Sequence, residues 1–529
     1  MSPHAETAGA KAGRREWIGL AVLALPCLLY SMDLTVLNLA LPQLVADLKP
    51  TSAQLLWIVD IYGFLVAGSL ITMGTLGDRI GRRKLLMIGA VAFGAASVLA
   101  AFSTTPEMLI VARAMLGVAA ATLAPSTLSL LSNMFHDPRE RSFAIGIWIT
   151  AFSAGGAIGP LVGGVLLQYF WWGSVFLVAL PVMALLLVLG PVLLPEFRDE
   201  NAGRLDLPSA ALSLVAVLAV IFGLKEIATA GVSTEAFVSV AGGLVVGALF
   251  LRRQTRLADP LIDLSLFRLR AFSASLAINV GAFFAAFSSF LLVAQYLQLV
   301  LGMSPLEAGL WGLPSALAFI VGAQVAPRLA HRVRPSRLMA VALLVAAGGF
   351  LVLAQADGEW PLAMIVAGIV ITAFGLVPVF TLATDLVVGT APAERAGSAA
   401  ALSETSSEFG GALGIAVLGS VAAAIYRLTV ADTLPAGLPQ DIAVAARDTL
   451  GGAISGAATL EPALAAAMTE AARAAYASAF SVAALISAAI LAGTALLALI
   501  VLRDLAPIGA EAEPDDECPD AQGCVAPAE

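Results

Sequence analysis

The feature that most constrains this chain is a series of apolar stretches, each close to 20 residues long, separated by short polar segments. About 20 apolar residues is the length that an α-helix needs to cross roughly 30 Å of hydrocarbon. Of the 529 residues, 60% are hydrophobic and only 12% are charged. A water-soluble domain carries roughly 25% charged residues, so this chain lacks the charge to cover a soluble surface. The pattern predicts an all-α protein that crosses a membrane many times.

We assign fourteen such stretches. They lack the strict alternation of polar and apolar residues that a membrane β-barrel requires. Only helices and closed barrels satisfy backbone polar groups inside hydrocarbon. The shortest stretch, 236–251, is the weakest assignment. The predicted spans are 17–41, 55–76, 85–103, 107–131, 142–166, 171–194, 207–224, 236–251, 272–301, 306–327, 337–354, 361–388, 398–425 and 474–502.

The basic residues are distributed unevenly between the two sides of this predicted bundle. Of the 28 Lys and Arg residues, 22 fall on the side of the N-terminus, 5 fall on the other side, and Arg113 lies inside a span. Because short cytoplasmic loops are rich in Lys and Arg, this asymmetry predicts a multi-pass protein of the cell membrane with both termini in the cytoplasm. One long segment, 428–472, would lie outside. Its high Ala content favours a short helical hairpin over a disordered linker.

Composition also excludes several classes of function. The net charge of −9 is not that of a nucleic-acid-binding protein, and part of it comes from an acidic tail, 504–529. Cys518 and Cys524 in that tail have no familiar ligand spacing, and the three histidines are scattered. No Gly-rich phosphate-binding loop of the Walker type is present, so ATP is not a direct energy source. We therefore predict no cofactor, no metal and no catalytic constellation.

Two sequence motifs carry more information than composition. The first motif lies in the loop after the second span and combines glycines, one acid and a cluster of basic residues. Its glycines permit a tight turn and a close approach of the helices. The motif consists of Gly74, Asp78, Arg79, Gly81, Arg82, Arg83 and Lys84. In the fifth span, small residues recur every four positions and form a stripe that a neighbouring backbone can approach, at Gly155, Gly156, Gly159, Pro160, Gly163 and Gly164. Without further context, that stripe is also compatible with ordinary helix packing.

Both motifs resemble signatures of the major facilitator superfamily, in particular its fourteen-helix drug:proton antiporters. Four further stretches are similar to Qac-type multidrug exporters. Their residues are, stretch by stretch, Tyr30, Asp33, Asn38 and Pro42; Trp57, Asp60 and Tyr62; Arg113 and Gly117; and Glu404, Glu408 and Gly410. The resemblance implies that the first motif is a cytoplasmic conformational latch. It implies that the second, the antiporter motif, seals the outward path against proton leak. A second copy of the latch at 327–337 lacks the acid, which predicts a weaker gate there.

The resemblance also implies the major facilitator fold, with two six-helix bundles and two additional linking helices. The corresponding divisions are an N-terminal bundle at 1–195, a linker with two helices at 196–270, a C-terminal bundle at 271–503 and the tail. The expected partners are lipophilic, cationic small molecules, protons and the lipid bilayer, and the expected state is a monomer.

Acidic residues inside apolar spans are functional candidates because a charge at the bilayer centre costs roughly 2.5–3.5 kcal/mol. Asp33 lies well inside the first span, and Arg113, by resemblance on an adjoining helix, is its expected partner. Burial favours the protonated form of a carboxyl group and a nearby cation favours the charged form. A carboxyl group balanced between the two can load and release a proton. A purely structural ion pair is the alternative.

Glu404 and Glu408 are four residues apart and share one helix face, which suits a site where a cationic ligand and a proton compete. We predict Glu404 for both proton coupling and substrate binding, and Glu408 and Tyr30 for substrate binding. The alternative for both acids is a role in local packing or hydration.

Asp60 lies one turn from Trp57, and an acid beside an aromatic ring favours lipophilic cations. Trp57 is equally compatible with the aromatic belt at the membrane surface. Asp385 lies near the cytoplasmic end of the twelfth span, and we interpret it as interfacial. Together these residues predict proton-coupled efflux of hydrophobic, cationic drugs or antiseptics. A dedicated exporter of one metabolite or antibiotic shares this architecture and remains open.

Overall fold

In a computed structural model, the described residues are 11–50, 52–198, 206–230, 233–257, 260–330, 332–356, 358, 360–392, 395–503 and 505. The tail with Cys518 and Cys524, apart from residue 505, lies outside them. Secondary structure in the described residues is helical throughout. The first seven helices are α1 (Arg14–Leu48), α2 (Ser52–Ile80), α3 (Arg82–Ala101), α4 (Pro106–Met134), α5 (Pro138–Tyr169), α6 (Ser174–Leu177) and α7 (Ala179–Leu193).

Ten further α-helices follow in the described part of the chain. Two of them form a hairpin, α8 (Leu207–Ala230) and α9 (Thr234–Gln254). A 3-10 turn at Leu266–Arg268 leads into α10 (Arg270–Gln295), which continues as a π-helix at Tyr296–Val300. The remaining helices are α11 (Pro305–Ala330), α12 (Pro335–Leu353), α13 (Pro361–Thr390), α14 (Ala396–Thr433), α15 (Gln440–Asp448), α16 (Leu450–Ala457) and α17 (Pro462–Val501).

The predicted fold class is confirmed. Thirteen helical segments in the described residues are long and apolar enough to cross a membrane, with α6 and α7 forming one of them. The 32-residue α5, which packs along α1, is long enough to be the fourteenth. The short predicted span 236–251 is the full-length helix α9, because polar residues at both of its ends continue the helix. The segment 428–472 holds two short helices, but α14 and α17 extend into it and leave only 434–461 between them.

Local sequence explains where several helices begin. Thr105 caps α4 by accepting a hydrogen bond from the backbone N–H of Met108, and Asp137 caps α5 through the N–H of Arg139. Proline occupies the first turn of α4, α5, α12, α13 and α17, where its missing N–H costs nothing. Gly81 joins α2 to α3 with φ of 109°, a conformation that favours glycine.

The helices pack as two halves with the α8–α9 hairpin beside them. In the first half, α1 packs on α5, and α4 packs on both α2 and α3. In the second half, α10 packs on α14, and α13 packs on both α11 and α12. The halves meet where α2 contacts α14 and α5 contacts α11, and α8 lies against both α2 and α14. Two hydrogen bonds from Arg253, at 2.7 and 2.9 Å, hold the pKa of Asp206 at about 2 and join the hairpin at its base.

Candidate functional site

A buried ion pair lies inside the first half. Arg113 on α4 is 1% exposed, and its Nη1 lies 2.5 Å from Oδ2 of Asp33 on α1. Its Nε donates to the carbonyl oxygen of Ile58 at 3.2 Å, and its guanidinium lies 4.6 Å from the ring centre of Tyr62. The structure therefore brings Asp33 and Arg113 together where α1, α2 and α4 converge. A guanidinium this deeply buried depends on the carboxylate and the aromatic ring for its stability.

The two acids of α14 lie in the second half and face the first. Tyr30 of α1 donates from its hydroxyl to Oε1 of Glu408 at 3.1 Å, which links the halves. Glu404 is half-buried and lies close enough to Tyr30 and Cys27 to interact electrostatically with both. Within the described residues, Glu404 has no hydrogen-bond or ion-pair partner. Its carboxylate is therefore available to a ligand or a proton.

An aromatic cluster connects these two acidic sites. The ring of Tyr30 lies 6.2 Å from that of Tyr62 and 5.4 Å from that of Phe152, centre to centre. Phe152 in turn packs on Trp148 at 4.6 Å. Tyr62 contacts Arg113 and Tyr30 contacts Glu408, so the pair spans from the ion pair to the acids of α14. Aromatic faces beside carboxylates can hold a lipophilic cation through burial and cation–π attraction.

The structure does not bring Trp57 to this cluster. Trp57 is 46% exposed, and its ring packs on Phe64 at 6.4 Å, which packs in turn on Phe222 of α8. None of the described contacts of Trp57 reaches Tyr30, Glu404 or Glu408. The ring is therefore directed toward the face of α2 that α8 covers. Asp60 is half-buried one turn further along α2.

We call the end of the bundle where α1 begins the basic face, and the predicted latch lies there. Asp78 on α2 is 3% exposed and accepts hydrogen bonds from the backbone N–H groups of Gly397 and Ser398, both at 2.9 Å. The same carboxylate accepts a third hydrogen bond, from Nε of Arg82 at 2.9 Å. The donors from α14 belong to its first turn, where a helix attracts negative charge. Asp78 thus joins the two halves.

Other residues of this loop support the contact. A Cβ atom at Gly74 would lie 2.5 Å from both the carbonyl oxygen of Gly397 and the Cβ of Ala401, so only glycine allows α2 and α14 to approach this closely. Arg83 donates to the carbonyl oxygen of Leu194 at 3.0 Å and ties the loop to the end of α7. Arg79 is half-buried on the same face.

The interpretation of Asp385 as interfacial is wrong. Its side chain is 2% exposed, and Oδ1 accepts a hydrogen bond from Nε of Arg141 on α5 at 2.9 Å. Oδ2 accepts a second, very short hydrogen bond from the hydroxyl of Ser142. The segment 327–337 has no acid, but α13 brings one to the same face of the bundle. Position near a span end could not show that another half covers the side chain.

The glycine stripe of α5 faces α1. A Cβ atom at Gly155 would overlap the carbonyl oxygen of Leu28, and a Cβ at Gly156 would lie 3.3 Å from the hydroxyl of Ser31. Gly159 and Gly163 are buried on the same side, whereas Gly164 is exposed with no neighbouring atom within 4 Å. The side chain of Pro160 is outside the described part. The close approach at Gly155 therefore sets the distance between α1 and α5.

We expect Gly155→Ala to destabilise the protein, because the added methyl group forces α1 and α5 apart. Overpacking of this kind costs about 1–3 kcal/mol. Gly164→Ala is the matched control in the same helix, and it should be neutral or stabilising by about 0.5–1 kcal/mol, because the methyl group meets open space and alanine favours a helix. Thermal unfolding of the purified variants in detergent measures both. Equal shifts for the two variants would contradict the assignment of the packed face.

The site includes two polar residues to which the sequence assigns no role. Asn279 on α10 is 1% exposed and donates to the hydroxyls of Ser406 and Ser407 on α14, both at 2.9 Å. Tyr62 is fully buried against Arg113. An asparagine inside an apolar stretch is a comparable signal, because an unpaired amide is also costly in hydrocarbon.

Comparison with known proteins agrees with this geometry. The family model described as Major Facilitator Superfamily matches residues 23–415. The chain belongs to this superfamily. It is 44% identical over 462 residues to the multidrug efflux pump LfrA of Mycolicibacterium smegmatis, covering 87% of this chain and 91% of that protein. It is 34% identical over 471 residues to the methyl viologen resistance protein SmvA of Salmonella typhimurium, covering 87% of this chain and 93% of SmvA.

The superfamily fold is also found among solved structures. The human organic anion transporter MFSD10 superposes with a TM-score of 0.58 over 90% of this chain and 99% of that one, at 15% identity. At this identity the likeness establishes the fold. The protein is thus a multi-pass membrane protein of the superfamily, and its own acids and aromatic rings must decide its substrates.

Proposed function

We propose that the protein exports lipophilic cations across the cell membrane in exchange for protons. The observation that carries the proposal is the carboxylate of Glu404, half-buried between the halves without a partner among the described residues and beside aromatic rings. A membrane-embedded acid in this setting can be neutralised either by a proton or by a cationic ligand, but not fully by both. Mutual exclusion of the two produces antiport if the halves change their access side only when the site is occupied.

The two acidic sites have different parts in this exchange. Glu404, Glu408 and Tyr30 form the substrate site, because they lie where the two halves meet. Asp33 takes part in proton coupling, because Arg113 competes with a proton for its carboxylate. Asp60 contributes a further negative charge near the opposite end of α2. Since the ring of Trp57 packs on Phe64, on the face of α2 that α8 covers, we do not assign Trp57 to the substrate site.

The closed basic face supports a state in which substrate is released on the other side. Contacts between the halves at this face include Asp78 with the start of α14 and Asp385 with the start of α5. We propose that the basic face is cytoplasmic, as the Lys and Arg distribution indicates. The protein would then work as a monomer without a cofactor or a catalytic step. At a membrane potential of 100 mV, each proton that moves inward supplies about 2.3 kcal/mol to drive export.

The name of one relative supports drug export, and the name of the other supports a cationic substrate. LfrA is a multidrug efflux pump, and SmvA confers resistance to methyl viologen, which is a dication. The test is ethidium transport in proteoliposomes across an imposed pH gradient. We expect uphill transport by the wild type and at least tenfold slower transport by Glu404→Gln. Glu461→Gln, at an exposed position before α17, is the matched control and should match the wild type.

Two outcomes would overturn this proposal. Absence of gradient-driven transport of ethidium and methyl viologen by the wild type would remove the multidrug function and favour a dedicated exporter. Unchanged transport of charged and neutral dyes in both Glu404→Gln and Glu408→Gln would remove the acids of α14 from the substrate site.

A further inference from the structure

We propose that Asp385 closes the basic face as a second latch and is a positioning residue for transport; the link to transport rests on the proposed function. The first latch uses an acid of α2 against the start of α14. The corresponding loop of the second half, at 327–337, has no acid. Asp385 supplies one from a different helix, α13, against the start of α5 in the first half.

The geometry at α5 parallels that at α14. Arg141 and Ser142 lie in the opening turns of α5, which begins at Pro138, so Asp385 meets a helix start as Asp78 does. Both acids are nearly inaccessible, at 2% and 3% exposure. The helix N-terminus is favourable for a carboxylate in each case. Each half therefore presents one buried acid to the first turns of a helix in the other half.

The surroundings of Asp385 fit a contact that forms and breaks as a unit. A Cβ atom at Gly389, one turn beyond Asp385, would lie 2.8 Å from Nη2 of Arg141, so the missing side chain makes room for the guanidinium. The side chain of Arg141 is 23% exposed in this closed structure, so water already reaches it before the halves separate. Ser142 is fully buried in the closed arrangement.

The adjoining helices close around this point. A Cβ at Gly146 on α5 would lie 2.6 Å from the carbonyl oxygen of Ala323 on α11, so the two backbones are in close contact one turn further along. Arg328 of α11 lies 5.3 Å from the ring centre of Phe143. These contacts join α5 to α11 beside the ion pair of Asp385 and Arg141. Because every partner of Asp385 named here belongs to the other half, its contact is lost whenever this face opens.

The experiment measures the opening directly by electron–electron resonance between two spin labels. Lys84→Cys and Arg337→Cys place one label on each half, at exposed positions of the basic face, with the native cysteines replaced. We expect a short distance to dominate in the wild type and Asp385→Asn to raise the population at longer distance at least threefold. Asp263→Asn, whose carboxylate contacts Ser265 of its own turn, is the control and should leave the distribution unchanged.

Two further variants test the contact, one that exchanges the two charges and one that removes a single hydrogen-bond donor. The double variant Asp385→Arg with Arg141→Asp should restore the short distance, which a merely bulky or misfolded site would not do. Ser142→Ala, which removes one donor, should shift the population in the same direction as Asp385→Asn but less. An unchanged distribution in folded Asp385→Asn overturns the latch. Since the distances are read without any substrate, this result stands apart from the ethidium experiment, whose failure would concern only the proposed function.

Discussion

Replacing Arg113 by methionine is expected to abolish proton-driven export and to lower the free energy of unfolding by about 3–5 kcal/mol, the usual cost of breaking a buried ion pair. The reason is that Asp33 loses the cation 2.5 Å from its carboxylate, and Tyr62 loses the guanidinium over its ring. Unfolding of the purified protein in mixed micelles measures the stability. Ethidium transport in proteoliposomes measures the coupling.

A double variant separates stability from function at this site. Asp33→Leu combined with Arg113→Met replaces the pair with apolar groups of similar size, which is often neutral or stabilising. We therefore expect it to recover most of the lost stability without recovering transport. Asp33→Asn alone leaves the charge of Arg113 with only the Ile58 carbonyl and the Tyr62 ring, so it should lose coupling and also part of the stability. Retained proton-driven export in Asp33→Asn or in the double variant would reduce the pair to a structural role.

The second large effect is expected at Asp78. Its carboxylate accepts hydrogen bonds from two backbone N–H groups of α14 and from Arg82, and bonds to a charged group contribute about 1.5–3 kcal/mol each. Asp78→Asn keeps the shape but lacks the charge and half of the acceptors. We expect the state with a closed basic face to become less populated and the transport rate to fall more than tenfold.

Cysteine labelling measures this opening. A cysteine placed at Ala401, buried against Gly74 in the closed arrangement, should react with a water-soluble maleimide faster in Asp78→Asn than in the wild type. Asp137→Asn, which alters a helix cap on the same face without crossing between the halves, is the control. Equal labelling rates together with normal transport would contradict the role of Asp78 in closure.

The sequence predicted the membrane helices because each one satisfies its own backbone, and the family resemblance supplied their arrangement in two bundles. The pairing of Arg113 with Asp33 was expected from the resemblance, which places the first and fourth helices side by side. The sequence could not predict which distant side chains meet across the halves. Tyr30 and Glu408 are 378 positions apart, and Arg141 and Asp385 are 244 apart. Neither spacing has a local signature, so Asp385 was assigned to the membrane surface.

The sequence also could not show which way a side chain points around its helix. Trp57 and Asp60 are one turn apart, which suggested a joint site, but Trp57 packs toward Phe64 and α8. Likewise Gly164 shares the fourfold spacing of the α5 glycines but faces open space. In a helix that is apolar all round, periodicity does not show which face meets a neighbour. Contacts with other helices decide this, and they are a property of the packed bundle.

The most direct test of the account is the affinity of the purified protein for ethidium, measured by fluorescence from about pH 5 to pH 9, across the range where a buried carboxyl group can titrate. If one proton leaves for each cation bound, the affinity should weaken roughly tenfold per pH unit on the acidic side. The double variant Glu404→Gln with Glu408→Gln should bind ethidium weakly and without this pH dependence. An ethidium affinity that is the same at every pH in the wild-type protein would contradict proton and cation exclusion between its halves.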